Sequence, residues 1–202
     1  MRSRAVLLCA LLGAPGCDGD PAGPGPDPAV PEIDRPVSEW RIQQRFGRWN
    51  GAWPGYHLAV DLVAAGGTAV VAVDDGVVRV AATGVTGYGA IVVTEHPAGD
   101  RTPSGTVLVL YGHLSAREGL AVAAGQPVAR GQGLGRLAYD DEDGGPWAPH
   151  LHLGVRDGPH HDGPDLCDVW LYVGYSRECE AVTHEAFMAS GWIDPEAWFA
   201  GD

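Results

Sequence analysis

The 202-residue chain contains no lysine, so its 13 basic residues are all arginine, and they stand against 26 acidic residues. The formal net charge is −13, and no run of basic residues is present that could follow a phosphate backbone. We therefore expect no nucleic-acid partner. Long apolar runs are missing too, because the N-terminal run at 5–12 is far too short to span a bilayer.

Helical periodicity is missing from the centre of the chain, where short runs rich in Val and Ala are separated by turn residues. This pattern predicts β-strands at 68–73, 76–81, 90–95, 106–111, 122–128 and 131–137. The loop 96–105 joins the third and fourth of them as a long hairpin. We expect a mainly β fold, an antiparallel sheet or sandwich, with a short C-terminal helix at 183–190 and the aromatic segment 192–199 packed on the sheet.

The N-terminal segment predicts export. Arg2 and Arg4, the apolar run and the small residues that follow resemble a secretory signal peptide over 1–16. The ending at Cys17 resembles the lipobox of bacterial lipoproteins, in which the cysteine is lipidated, and ordinary cleavage nearby is the alternative. Residues 17–36 are rich in Pro, Gly and Asp and predict a disordered tether. We expect a cell-envelope protein, periplasmic or on the outer surface, that is anchored to a membrane at Cys17 and folded over 37–202.

Cysteine is scarce, with four in the chain. Cys9 would leave with the signal peptide and Cys17 would be acylated, which leaves Cys167 and Cys179 as an even pair in an oxidising compartment. These two form either a disulfide or two unpaired buried thiols, because sequence spacing alone cannot show that their Cα atoms approach closely enough.

The candidate functional residues centre on the stretch 149–155, where imidazole and aliphatic side chains alternate. In a strand, the aliphatic residues point to one face, while His150 and His152 point to the other. Same-face neighbours are about 7 Å apart, so both rings can converge on one small object such as a metal-bound water. The alternative is a half-buried strand with two solvated histidines.

A second strand with a polar face is predicted at 57–62, where His57 and Asp61 share the face. In a fully extended strand their Cα atoms would be about 13 Å apart, near the limit for two ligands of one zinc ion. The strand must therefore bend, or begin at His57, if both residues bind one metal. By itself this spacing is a weak signal.

Two loops contain further polar groups. The acidic loop 139–147 carries Trp147 and is either a solvated connection or one wall of a substrate groove. His160 and His161 could bind a second metal together with nearby aspartates at 162 and 165, but their spacing fixes no geometry, so we expect a solvated turn.

The chain resembles the LytM or lysostaphin-type zinc peptidases of family M23 in three motifs, which are, in chain order, His57-x-x-x-Asp61, Tyr111-Gly112-His113-Leu114 and His150-Leu151-His152. The resemblance covers about 46–156, includes Gly87-Tyr88-Gly89, and leaves 157–202 as a C-terminal extension. It implies a core of the M23 type, which resembles a duplicated hybrid motif.

The resemblance implies one zinc ion per chain, bound by His57, Asp61 and His152, with His113 and His150 as catalytic histidines. Two neutral imidazoles and one carboxylate leave zinc a fourth position for water, which is typical of catalytic sites. The chain has no His-Glu-x-x-His motif to supply a glutamate base. Proton transfer is therefore expected of His113 and His150.

The resemblance thus implies a zinc-dependent endopeptidase that hydrolyses peptide cross-links of bacterial peptidoglycan, with stem peptides or cross-bridges as partners. The alternative is a non-catalytic envelope protein of the same fold that binds and activates a separate cell-wall amidase. Such relatives typically have lost metal ligands, whereas this chain retains each of them. A phosphocarrier with paired histidines on a similar β-scaffold is a third candidate, against which the signal peptide and Asp61 argue.

Overall fold

The computed structural model describes residues 36–38, 40–51, 55–142, 147–161, 174–175, 185 and 191–200. All of these belong to Pro31–Asp202, the second of the two units into which the chain divides. The predicted signal peptide, the lipid anchor at Cys17, the tether up to residue 35 and the cysteines 167 and 179 lie outside the described residues. So does the predicted helix at 183–190, apart from residue 185.

The described residues form twelve β-strands, which are β1 (Arg41–Gln44), β2 (Trp49–Asn50), β3 (Gly55–Tyr56), β4 (Val60–Val63), β5 (Ala69–Val71), β6 (Gly76–Val85), β7 (Gly89–Pro97), β8 (Thr106–Leu114), β9 (Pro127–Val128), β10 (Gly133–Arg136), β11 (His150–Asp157) and β12 (Trp192–Ile193). A 3-10 turn, Gly99–Arg101, lies between β7 and β8, and helix α1 (Pro195–Ala200) follows β12. No helix within these described ranges is long and apolar enough to cross a membrane.

One antiparallel sheet organises the domain. Its strand order is β1-β4-β11-β8-β7-β6-β9, and β12 pairs with the far end of β11. Smaller two-stranded sheets join β10 to β5 and β2 to β3. The predicted mainly β, antiparallel fold is confirmed, and β7 and β8 form the predicted hairpin. The fold class with a short C-terminal helix also holds, but the described helix is Pro195–Ala200, within the predicted aromatic segment.

Several predicted strands differ from those observed at their ends, and β6, for example, continues past residue 81 to Val85. β8 continues past residue 111 to Leu114 and so includes His113. The strand predicted over 122–128 is wrong except for β9, because residues 123–126 form a turn in which Gln126 N–H donates to the Ala123 carbonyl. The Gln126 side-chain oxygen accepts in return from Ala123 N–H, so this turn takes the backbone groups that a longer strand would need.

The core follows the period of two in the central strands. Val109 and Leu151 belong to the larger buried cluster on one face of the sheet, while Ile91 and Leu110 belong to a smaller cluster with Tyr88. β7 and β8 are therefore buried on both faces. The C-terminal aromatics pack as predicted, since Trp198 and Phe199 lie against the larger cluster and Trp192 is buried beside Leu58.

Candidate metal centre

Strand order places the three histidine-containing motifs side by side, because β11 lies between β4 and β8. His152 is directly opposite Asp61 across the β11–β4 pair and opposite Gly112 across the β11–β8 pair. Side chains on directly opposite residues of an antiparallel pair project from the same face. The register therefore brings the His152 and Asp61 side chains together and leaves His113 one residue further along β8.

A bend before β4 brings His57 to the same place. β4 begins only at Val60, residue 59 lies in a bend, and His57 forms an isolated bridge with Tyr175. Main-chain bonds hold the residue, since His57 N–H donates to the Arg48 carbonyl at 2.9 Å and the His57 carbonyl accepts from Gly47 N–H at 2.8 Å. The chain between His57 and Asp61 is thus bent, as a shared metal site requires.

Three donor atoms form a nearly equilateral triangle at this point. His57 Nε2 is 3.2 Å from both Asp61 Oδ1 and His152 Nδ1, and the latter two atoms are 3.1 Å apart. All three side chains are buried. A tetrahedral zinc ion with bonds of about 2.0–2.1 Å separates its ligand atoms by about 3.3 Å. The two imidazoles and the carboxylate therefore fit zinc in both donor type and spacing, and they form a candidate metal site.

Main-chain carbonyls orient two of the imidazoles. His57 Nδ1 donates to the Arg45 carbonyl at 3.2 Å, which leaves the lone pair of Nε2 directed at the other donors. His150 Nδ1 donates to the Ala148 carbonyl at 2.9 Å, so Nε2 is the basic nitrogen of its neutral ring. His152 faces the site with Nδ1, and its Nε2 is buried with no hydrogen-bond partner in the part of the chain that the structure describes.

The protonation states of two ligands suit metal binding. Burial raises the pKa of Asp61, but hydrogen bonds with His152 and His57 outweigh it and hold that pKa well below its ordinary value. Burial lowers the pKa of His152 to about 3, although the hydrogen bond with Asp61 opposes this shift. Near neutral pH the carboxylate is therefore ionised and the imidazole neutral, and these are the forms that bind metals.

The two predicted catalytic histidines lie beside the triangle. His150 Nε2 is 3.8 Å from Asp61 Oδ1, and the ring centroids of His150 and His113 are 4.3 Å apart. His113 has a φ of 59°, in the left-handed region that residues other than glycine rarely adopt. Such backbone strain is concentrated at functional sites. The structure thus brings all five residues that the sequence singles out into one cluster.

Tyr88 contacts the site, although no functional role was predicted for this residue. Its ring centroid is 5.1 Å from that of His113 and 5.3 Å from that of His152. Gly112 makes room for it, since a Cβ at this position would lie 2.5 Å from Tyr88 Cδ1. The Gly87-Tyr88-Gly89 motif could have indicated this contact, because it is one of the motifs shared with the family.

Tyr175 is a second such contact, and it belongs to the C-terminal extension. Its ring centroid is 5.0 Å from that of His57. Its hydroxyl donates to Gln44 Oε1 and accepts from Asn50 Nδ2, both at 3.2 Å. The preceding carbonyl, of Gly174, accepts from Leu58 N–H at 3.0 Å. No pattern in the sequence indicates that this tyrosine reaches His57.

The acidic loop 139–147 is described only at its two ends. At one end, Glu142 accepts hydrogen bonds from Ser115 Oγ and Arg117 N–H, which fastens the loop to the segment after β8. At the other end, the Trp147 ring centroid is 6.0 Å from that of His113. Residues 143–146 lie outside the described residues.

The loop that follows β11 is described up to residue 161. His160 N–H donates to Glu95 Oε2 at 2.7 Å, and His161 is exposed. Among the described residues, the group His57, Asp61 and His152 is the one that could hold a metal ion. The aspartates at 162 and 165, the other candidate ligands in this loop, lie outside them.

Comparison with known proteins identifies the family. The model of peptidase family M23 matches residues 55–164. The chain belongs to peptidase family M23. Members of this family are zinc-dependent, in agreement with the donor set of the candidate site. The resemblance that the three motifs indicated is thereby confirmed, and Tyr175 lies beyond the matched segment.

Solved M23-type structures are similar to this chain. LytU is 17% identical, with a TM-score of 0.52 over 80% of this chain and 85% of its own, and it shows the same fold. The catalytic domain of lysostaphin from Staphylococcus simulans is 21% identical, with a TM-score of 0.49 over 80% of this chain and 92% of its own. A zinc-containing peptidase from Vibrio cholerae is 26% identical, with a TM-score of 0.49 over 60% of this chain. This chain spans 35% of that peptidase. No curated protein matches the sequence significantly.

Proposed function

We propose that this M23 protein is a zinc-dependent endopeptidase that hydrolyses peptide cross-links of bacterial peptidoglycan. The observation that carries the proposal is the triangle of His57, Asp61 and His152 donor atoms, 3.1–3.2 Å apart, with two more histidines beside it. Membership of a zinc peptidase family supports hydrolysis of a peptide bond. The resemblance to lysostaphin-type enzymes supports peptidoglycan as the substrate class.

Each residue of the site has a role in this proposal. His57, Asp61 and His152 would hold the zinc ion, which would supply Lewis-acid chemistry to a scissile carbonyl and to water. His150 accepts a proton through Nε2, because its Nδ1–H is already bonded to the Ala148 carbonyl. His113, in contact with the His150 ring, donates a hydrogen bond to the oxyanion, and the leaving amine takes up the proton that water gave to His150.

The proposal includes location in the cell envelope. The signal-like segment 1–16, the lipobox-like ending at Cys17 and the Pro- and Gly-rich tether support export and lipid anchoring. A tether of nearly twenty residues could extend for roughly 50–60 Å, far enough for an anchored domain to reach a peptidoglycan layer.

The test is hydrolysis of purified peptidoglycan sacculi by the full-length protein. We expect one zinc ion per chain, and release of soluble fragments together with new free amino groups, because amide hydrolysis creates one amine per bond. A chelator should stop the release and added zinc should restore it. Zinc-loaded protein that releases no amine, but stimulates a cell-wall amidase, would replace this proposal with the non-catalytic alternative.

A further inference from the structure

A polar cleft is lined by residues of β1, β2 and the segment between them. Its volume is about 630 Å³, within the range of ligand sites, and its walls include Gln44, Arg45, Arg48, Trp49 and Asn50. We call it the arginine cleft. The established family segment begins at residue 55, so these walls come from the lead-in to that segment.

The arginine cleft is built on the main chain that holds His57. The Arg45 and Arg48 carbonyls accept the hydrogen bonds of His57 Nδ1–H and His57 N–H. Gln44 is opposite Asp61 across the β1–β4 pair. The arginine side chains therefore leave the same residues whose carbonyls hold His57, so the cleft and the candidate metal site share one stretch of main chain.

Charge in the arginine cleft is opposite to that of the whole chain. None of the described residues that line it is acidic, although the chain carries 26 acidic and 13 basic residues. Arg45 pairs with Glu196. No ion pair among the described residues includes Arg48, whose side chain is exposed. Arg48 therefore presents a guanidinium group that no described carboxylate pairs with, and its fork of donors matches a carboxylate.

An apolar surface accompanies these charges. The Trp49 side chain is 59% exposed and is the exposed large hydrophobic residue of the described chain. Its ring meets the Tyr56 ring edge to face, with centroids 5.2 Å apart, and is thereby held at the cleft. A ligand for this cleft therefore combines an apolar stem with a carboxylate, as a peptide with acidic side chains or a free C-terminus does.

We propose that the arginine cleft binds a carboxylate-bearing arm of the peptide substrate, with Arg48 as the principal contact to the carboxylate. The enzyme is then selective for peptide strands that carry free carboxylates near the scissile bond. This inference rests on the proposed function for the identity of the substrate, but binding at the cleft requires no turnover.

The test compares native sacculi with sacculi whose free carboxylates have been converted to methylamides by carbodiimide and methylamine. Zinc-loaded full-length protein is sedimented with each, and hydrolysis is followed in parallel. We expect half-saturation at about five-fold higher concentration of the amidated sacculi, with a smaller difference at high salt. Equal binding of the wild-type protein to both would overturn the inference.

Arg48→Gln provides the second arm, and Arg79→Gln on β6 is its matched control because it removes one exposed positive charge four strands away from β4. We expect R48Q to bind native sacculi about five-fold more weakly, to raise KM with little change in kcat, and to lose the response to amidation. R79Q should behave like the wild type. Equal weakening of binding in both variants would mean that total charge, not the cleft, sets affinity and would refute the proposal.

Binding and hydrolysis separate the two claims. A preference for native sacculi without any amine release would leave the arginine cleft established and the endopeptidase proposal wrong. Amine release at equal binding and equal rates on native and amidated sacculi would leave the endopeptidase established and the cleft proposal wrong. Zinc content and the thermal midpoint of each variant confirm that the compared proteins are folded.

Discussion

His152 Nδ1 and Asp61 Oδ1 lie 3.1 Å apart because the two residues occupy the same rung of the β4–β11 pair. The sequence separation is 91 residues, so the contact depends entirely on how the sheet is assembled. A strand slipped by one residue would turn one of the two side chains to the opposite face. The geometry of the candidate metal site is thus coupled to the register of the central strands.

Asp61→Asn should abolish stable zinc binding. A carboxamide carries no charge and is a weaker ligand than a carboxylate, so we expect zinc affinity to fall by well over ten-fold. Metal analysis after dialysis against buffered free zinc measures this. Asp74→Asn, in an exposed turn, is the matched control and should keep one zinc per chain. Full zinc occupancy in D61N would show that the triangle is not the metal site.

His113→Ala should keep zinc and lose turnover. The His113 ring contacts His150 and is not part of the donor triangle, and loss of an acid or base catalyst costs about 10²- to 10⁴-fold in kcat. His161→Ala, which removes an exposed imidazole, is the control. Metal analysis and amine release are measured on the same samples. Loss of zinc from H113A, or undiminished hydrolysis, would contradict the assigned role.

Tyr175→Ala should weaken zinc binding although Tyr175 is not one of the three donors. Its ring packs against His57 and its hydroxyl is fixed by Gln44 and Asn50, so its loss frees the His57 ring. Partners that orient a ligand are worth about 10- to 100-fold in metal affinity. Tyr175→Phe keeps the ring and should lose less. Competition with a chromophoric chelator gives both affinities, and equal affinities in Y175A and the wild type would rule out this role.

Gly112→Ala should destabilise the protein. The added methyl group would overlap the Tyr88 ring and crowd His152 Cβ, which is 3.2 Å away. Overpacking of this kind costs about 1–3 kcal/mol in the free energy of unfolding. Gly133→Ala is the control, because a Cβ there meets nothing within 4 Å. Denaturant titration in the presence of a chelator measures both, and an unchanged G112A would show that Tyr88 is not held in place.

His96 should make stability depend on pH. Burial lowers the pKa of His96, although the hydrogen bond to the Asp75 carbonyl opposes the shift. The unfolded chain takes up this proton at about pH 6.5, whereas the folded chain does so at a lower pH. The stability that neutral His96 allows is therefore fully present above about pH 6.5. It is lost as pH falls from there towards the pKa of His96 in the folded state.

The measurement for His96 is the free energy of unfolding at pH 7.5 and pH 5, with chelator present, for the wild type and His96→Gln. Glutamine does not titrate, so we expect the variant to lose less stability than the wild type over this interval. The ligand histidines titrate equally in both proteins and cancel in the comparison. Parallel pH profiles would refute the prediction.

The sequence predicts the parts of this fold that depend on local alternation. The strands around Val92, Val109 and Leu151 are predictable because a strand with a buried face keeps an alternation of apolar residues in its sequence. The strand prediction for 122–128 is wrong because the valines there are typical of a strand, whereas the Gln126 side chain closes a turn. Valine content cannot distinguish these cases, since the turn depends on the positive φ of Gly125 and on the bonds between Gln126 and Ala123.

The candidate site also has a part that the sequence predicts and a part that it does not. The motifs predict that five side chains come together, because three short motifs in order are specific even where each alone is weak. The structure places His57, Asp61, His113, His150 and His152 in one cluster, and their roles stay predictions. Tyr175 is not predictable, since it lies outside the matched segment. It contacts His57 through one isolated β-bridge and through the two rings. Its contact depends on the path of the C-terminal extension, on which the motifs carry no information.

The bonds from His57 Nδ1 and His150 Nδ1 end on the peptide oxygens of residues 45 and 148. Every amino acid has such an oxygen, so replacing either side chain leaves the acceptor where it was. A mutational scan would therefore find no residue that controls the protonation pattern of these two rings. Changing the length of either loop should do so, because an insertion displaces the acceptor itself.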